Sequence, residues 1–435
     1  MQRWPRCYRS YHPLARNEVE LNTCKTMPRA KERKQKPKGA AAPVAPILQK
    51  FLKTYQKHCT QSRTSMCPAI QRDLKSSIDR EQILRKFMLV RAGNCSANTL
   101  PVSLEPLLMT IRDESYTMAR EICIWGLQLT NPEIARLALF LEQKGHTNCP
   151  LTTLEIIDCK MDLWSLGRLG KALQLSSLHF LALDYCKFGN EELERIFSGL
   201  ESNRRLQGLS MRYCGLGPQS GPRLGSVISH SAICELRLDG NSLQCSGALA
   251  LLRPIAEYAE TQRKDQPTLA SAHAGNPPPL PQACRGASST LSPIEKSSKA
   301  LTTKRTSQKK SGKGGIRKQV GSLLEAGPWI VTLCLADNSI DGTGKEGERL
   351  LELTRTVTCL IKYSTHLREM DLGNNVLGET AAMDILEALR ARKTGKLPPL
   401  KVTVTPRISS DTFRSIWKLS KKSTRTRKKK KKIKN

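Results

Sequence analysis

Residues 178–188 read Leu178-His179-Phe180-Leu181-Ala182-Leu183-Asp184-Tyr185-Cys186-Lys187-Phe188, the pattern apolar-x-x-apolar-x-apolar-x-x-Cys-x-apolar. The alternation at 181–183 predicts a short strand that turns Leu181 and Leu183 into a core and leaves their neighbours facing out. A strand this short cannot bury its apolar edge alone, so its meaning depends on whether the pattern returns. It returns five times: at Leu151, Leu154, Ile156, Cys159, Met161; at Leu206, Leu209, Met211, Cys214, Leu216; at Ile233, Leu236, Leu238, Asn241, Leu243; at Ile330, Leu333, Leu335, Asn338, Ile340; and at Leu367, Met370, Leu372, Asn375, Leu377. A degenerate earlier copy runs Ile122, Ile124, Leu127, Leu129.

The second apolar position of successive copies falls at 154, 181, 209 and 236, a spacing of 27 or 28 residues. The next step, to 333, spans 97 residues, one copy plus a long insertion, and the last, to 370, spans 37. The remainder of each copy reads as a helix, as in Glu191–Leu200. A Cys or Asn stands where each strand turns. Asn there can satisfy buried backbone groups, and Cys, small and polarizable, tolerates the same position. The expected fold is α/β, a solenoid with a curved parallel sheet inside and helices outside.

At these residues the chain resembles the ribonuclease-inhibitor-like class of leucine-rich repeat proteins, over about 118–259 and 328–405. The resemblance implies a leucine-rich repeat solenoid with alternating Cys/Asn ladders and a full helix on the convex side of each repeat. It implies a binding role without naming the ligand, since the fold hosts many. Fewer repeats, a broken array and basic extensions set the chain apart from the inhibitor itself and argue against a wrapped ribonuclease. A helical cap, a short array, a basic insert and a Lys-rich end are more similar to the leucine-rich repeat proteins of axonemes and cilia.

The chain has 435 residues and a formal net charge of +33. Residues 1–39 carry +8, residues 260–327 +8 and residues 412–435 +12, which leaves +5 for everything else. Basicity confined to tails and a linker marks electrostatic arms, not a basic docking face. The expected organisation is a disordered basic tail over 1–43, a helical cap over 44–116, repeats over 117–259, a disordered Pro/Ser/Lys-rich insertion over 260–327, repeats and a C-terminal cap over 328–420, and a Lys/Arg-rich tail over 421–435. The cap rests on apolar stripes such as Val44, Ile47, Leu48, Phe51, Tyr55 and Leu104, Leu107, Leu108, Ile111. Leu400–Val404 reads as a closing strand and Ser410–Trp417 as a sealing helix.

Several chemistries are unsupported. No window reaches the roughly 18 apolar residues of a membrane span, and the N-terminus lacks the apolar core of a secretory signal. The first seventeen residues hold four arginines and no acid, but Pro5 and Pro13 interrupt the helix a mitochondrial presequence needs. Fifteen cysteines with no Cys-x-x-Cys suggest neither a disulfide framework nor a standard zinc module, and point to a reducing compartment. Gly342–Gly347 matches G-x-G-x-x-G, yet Glu346 and Glu348 would repel a pyrophosphate, so an enlarged repeat loop is expected. No catalytic group, cofactor, metal or small-molecule substrate is expected.

If the strands line a concave face, its outward residues are Trp125, Glu155, Asp158, Asp184, Tyr185, Arg212, Tyr213, Glu235, Arg237, Asp239, Asp337, Glu369 and Asp371. Eight acids against two arginines make this face acidic, and Tyr185 and Tyr213 occupy equivalent positions typical of interface hot spots. The expectation is a non-enzymatic scaffold that binds a basic protein segment here, from a partner or from its own tails. Lys421, Lys422, Arg425, Arg427 and Lys428, Lys429, Lys430, Lys431, Lys432 form an arm for an acidic polymer, either tubulin tails or RNA. No aromatic interleaves with the run, which disfavours base stacking. A cytoplasmic, cytoskeletal or ciliary setting is expected, with a nuclear or nucleolar RNA- or ribosome-associated factor as the alternative.

Overall fold

The computed structural model describes residues 43–91, 100–142, 151–201, 203–264, 328–342 and 346–420. One compact unit begins at Val44; the other unit, up to Pro43, lies outside the described residues except for Pro43 itself. Residues 265–327 and 421–435, where most of the expected insertion and the basic tail fall, also lie outside them.

Two helices open the compact unit, α1 (Val44–Gln61) and α2 (Pro68–Asp79). Strands and helices then alternate: β1 (Lys86–Val90), α3 (Glu105–Asp113), β2 (Glu121–Trp125), α4 (Asn131–Glu142), β3 (Thr153–Ile157), α5 (Leu163–Leu175), β4 (Phe180–Ala182), α6 (Asn190–Glu201), β5 (Gly208–Ser210), α7 (Ser220–Ser229), β6 (Glu235–Arg237), α8 (Gln244–Lys264), β7 (Thr332–Cys334), α9 (Gly347–Tyr363), β8 (Glu369–Asp371), α10 (Gly378–Thr394), β9 (Lys401–Thr403) and α11 (Ser410–Ser420). The strands form one nine-stranded sheet in sequence order, parallel throughout. Among the described residues no helix is long and apolar enough to cross a membrane.

The second apolar position of every sequence copy falls in one register row. Phe87, Ile122, Leu154, Leu181, Leu209, Leu236, Leu333, Met370 and Val402 pair in succession, and all are buried. The register holds from Leu236 to Leu333 across the insertion. Helices cover the other side of this row. The backbones of α5 and α6 approach so closely at Gly170 and Gly199 that a Cβ on either would overlap the other's backbone, and Gly221 and Gly247 bring α7 and α8 together in the same way.

The region read as a wholly helical cap contains a strand. Lys86-Phe87-Met88-Leu89-Val90 turns Phe87 and Leu89 inward, so the sheet starts one strand before the degenerate copy. Phe51 of the α1 stripe stacks on Phe87 at 5.3 Å, and the Cys67 thiol donates to the Met88 carbonyl on the outer side of β1 at 3.4 Å. Helix α8 also runs five residues past the expected boundary at 259. The long last repeat step is explained by α9, 17 residues against 12 in α6.

The Cys and Asn positions link each turn to its neighbour. The Cys186 and Cys214 thiols donate to the carbonyls of Ile156 (3.5 Å) and Leu183 (2.9 Å). Asn241 does more: its Oδ1 accepts from the Cys214 and Leu216 amides, and its Nδ2 donates to the Met211 and Leu238 carbonyls, at 2.7–3.1 Å. Asn375 repeats this with Asn338, Ile340, Leu335 and Leu372. Burial, foremost, pushes the Cys159 thiol up to about 11 and the Cys186 thiol up to about 12, so both stay protonated at neutral pH.

Beside β8 and β9 the core encloses a charge without a carboxylate. The Arg392 guanidinium, 2% exposed, donates to the carbonyls of Pro398, Ile361, Ser364 and Leu367 at 2.8–2.9 Å. Two of these lie at the C-terminal end of α9, where the helix dipole favours a cation. Burial, and then Arg368, lower the Arg392 pKa to about 10. Arg392→Met removes four guanidinium hydrogen bonds to these carbonyls and should destabilise the chain by about 3 kcal/mol or more, with Arg392→Lys intermediate, as read from urea unfolding midpoints.

Candidate functional site

The outward side chains of the sheet fall in rows that cross the strands. Lys86 of β1 reaches Glu121 opposite it on β2 and Glu155 of β3, one row over, each with a carboxylate oxygen 3.5 Å from its Nζ. Glu235 pairs with Arg237 on the same strand. Glu369 pairs with Lys401 across β8 and β9 at 2.5 Å. With Glu121, Lys86 and Lys401, the strand-facing positions hold nine acids, one of them the buried Asp184, against four cations. The face remains acidic, but each of its four cations is paired with an acid of the sheet.

Asp184 departs from expectation. It follows β4 but is fully buried. Its carboxylate accepts from the Ser210 hydroxyl (2.6 Å), the Arg212 amide (2.9 Å) and, in a bidentate pair, Arg212 Nε (2.9 Å) and Nη2 (2.5 Å). Neighbours on the next unit supply these bonds, so it is a structural counterion for Arg212 and not a surface acid.

Beyond the strands, the backbone ladder continues through one special position. Gly126, Asp158, Tyr185, Tyr213, Gly240, Asp337 and Asn374 each precede the Cys/Asn position (Leu127 in the earliest copy), and each has φ between 51° and 72°. The amides of Asp158, Tyr185, Tyr213, Gly240 and Asp337 donate to the carbonyls of Asp184, Arg212, Asp239, Ala336 and Gly373 on the next unit, at 2.7–2.9 Å. Gly, Asn and Asp adopt this left-handed conformation at little cost, whereas a bulky aromatic is strained there by about 1–2 kcal/mol. The two tyrosines are the exceptions in the row.

Their rings stack at 4.7 Å with 14° between planes. Tyr213 lies over Gly240, where a Cβ would collide with the ring. Phe180 leans in the same direction over Gly208, and the Arg237 guanidinium sits 5.8 Å from the Phe180 centroid. Strands β4–β6 thus present half-buried aromatics interleaved with Arg212 and Arg237. Trp125 ends β2, two strands from β4. Phe180 was legible as the residue before Leu181 on the outward side, but only the register shows that it covers the neighbouring glycine.

Strands β6–β8 have a different character. Asp239 and Asp371 are half-buried, and Asp337 is exposed at the turn after β7. Burial is the main reason the carboxyls of Asp239 and Asp371 lie above the usual range; the two repel one another, and Glu369 adds to the effect at Asp371. Asp239 accepts from the Ala336 amide at 3.1 Å and Asp371 from the Gly373 amide at 2.9 Å. Cys334 lies between them, its thiol pushed up to about 12 by burial and by both acids.

Among the described residues no group of three His, Cys, Asp or Glu could hold a metal ion. The predicted arm, Lys421 to Lys432, lies outside them, as do Thr343–Lys345 of the glycine-rich loop. Glu346, at the end of that loop, accepts from the Ser246 amide in the first turn of α8 and from Arg349 of α9. Compared with family models the chain matches none, and no curated protein matches it in sequence.

The raised carboxyls have a signed consequence. The native state holds protons on Asp239 and Asp371 at a pH where the unfolded chain has released them, so these residues oppose folding above their native pKa and stop doing so as pH falls. Asp239→Asn with Asp371→Asn should therefore raise the melting temperature at pH 7.5, with the gain shrinking towards pH 4, as followed by calorimetry.

Proposed function

We propose that the chain is a non-catalytic leucine-rich repeat solenoid, closed at its N-terminal end by α1–α3, whose outward sheet face binds a protein partner. The sequential parallel order, the constant register and the Cys/Asn linkages support the solenoid reading. One observation carries the binding reading: two adjacent tyrosines occupy strained left-handed positions, stacked on one another and seated on Gly240. A tyrosine there does nothing for the backbone that Gly or Asn would not do better. Backbone strain of this kind persists where the side chain is needed, and aromatics with arginines are the residues that dominate interface energies. Arg212 is held rigid by Asp184, which lowers the ordering cost of binding.

The face joins an acidic β6–β8 end to an aromatic β4–β6 centre, a combination suited to a segment with basic residues beside an apolar or planar one. The basic tail anchors the scaffold to an acidic polymer, within a ciliary or other cytoskeletal assembly. Tyr185→Asn with Tyr213→Asn, which relieves strain and keeps the fold, should weaken a partner captured by photo-crosslinking at position 185 about 30-fold; unchanged affinity overturns the reading. Co-sedimentation with microtubules and retention on RNA, each across a salt gradient, then distinguish a cytoskeletal anchor from a nuclear RNA arm, and deleting 421–435 should abolish whichever is found.

A further inference from the structure

The acidic end of the sheet lies beside the place where the basic tail begins. Ser420, the last residue of α11, donates its hydroxyl to the Val402 carbonyl and accepts from the Val402 amide, both at 3.1 Å. The chain therefore arrives at residue 421 next to the outer edge of β9. Val402 pairs with Met370 on β8, whose neighbours Glu369 and Asp371 face outward. At about 4.8 Å per strand, Asp371 is one strand from β9 and Asp239 three, roughly 14 Å away. Residues 421–432 can span up to about 40 Å when extended, so reach is not limiting.

Charge points the same way. Over β6–β9 the face holds Glu235, Asp239, Asp337, Glu369 and Asp371 against Arg237 and Lys401. Those two cations are engaged by Glu235 and Glu369. Asp239 and Asp371 sit half-buried in mutual repulsion, an arrangement that an arriving cation relieves. The stretch 421–432 carries nine Lys/Arg and no acid.

We propose that residues 421–432 dock in cis across strands β8 to β6, on Glu369, Asp371, Asp337 and Asp239, and so compete with a basic partner for this end of the face. The inference rests on the reading of the face as a binding surface and assigns an occupant to one part of it. Docking links the two activities of the scaffold: an acidic polymer that takes the tail exposes the face, and a partner that takes the face releases the tail. Because the tail is covalently attached, its effective concentration at the face is on the order of millimolar, enough to outcompete micromolar ligands.

The test compares the intact chain with one ending at Ser420, using a synthetic peptide of residues 421–432 as the probe. The shortened chain should bind the peptide at least tenfold more tightly, because in the intact chain the site is already occupied. Asp239→Asn, Glu369→Gln and Asp371→Asn together should erase the difference; Asn retains the acceptor for the backbone bonds that Asp239 and Asp371 make. Glu191→Gln with Glu192→Gln on α6 should leave it intact. Carbodiimide coupling of the intact chain at low salt should join tail lysines to Asp239, Asp337, Glu369 or Asp371, and about 0.5 M salt should suppress this. Equal peptide affinity for the two chains, a difference that survives the triple substitution, or coupling of the tail mainly elsewhere overturns the proposal. Tyr185 and Tyr213 are untouched throughout, so a failure here leaves the partner reading standing, and the two failures are read from different variants.

Discussion

Hydrogen bonding between consecutive turns governs this molecule. Most of its strands are three residues long, too short to hold a register by strand pairing alone. The ladder is extended because one residue in each turn adopts a left-handed backbone and directs its amide at the following unit. The next residue, Cys or Asn, then satisfies carbonyls beneath it, and Asn241 and Asn375 each join four backbone groups. Without this continuation the leucine row would lack its alignment, and the helices behind it could not pack at glycine distance. The same constraint makes Tyr185 and Tyr213 informative, since the position tolerates them only at a cost.

Much of the fold was legible because the constraint leaves a periodic trace. A leucine that must face the core in each unit returns every 27 or 28 residues, and the row from Leu154 to Met370 follows from that period even across the insertion. The first strand was not legible. Lys86–Val90 has Ala92 at the position where the full copies have Cys or Asn and sits among helical stripes, so pattern alone assigns it to the cap. Phe51 and Cys67 explain its place: Phe51 packs on its inward Phe87, and Cys67 bonds the carbonyl of Met88 on an edge that no further strand protects among the described residues.

The face was legible in outline and misjudged in charge. Alternation marks a residue as outward but does not report what the neighbouring strand brings to it. Asp184 is outward by pattern yet buried by Ser210 and Arg212 of the next unit. Lys86 and Lys401 balance acids that looked unopposed, and their positions required the strand order. The stacked tyrosines were foreseeable as equivalent positions one unit apart. Their strained backbone was not, because nothing in the residue type announces a positive φ.

The bonds from Ser420 to Val402 matter beyond the last strand. A parallel sheet extended unit by unit ends in a row of open backbone groups that any similar strand could recruit. One hydroxyl, delivered by α11, occupies both the donor and the acceptor of the residue at the centre of that rim. Chains shortened within α11 would expose this seam, and two such edges meeting would join molecules in pairs while leaving the interior of each intact.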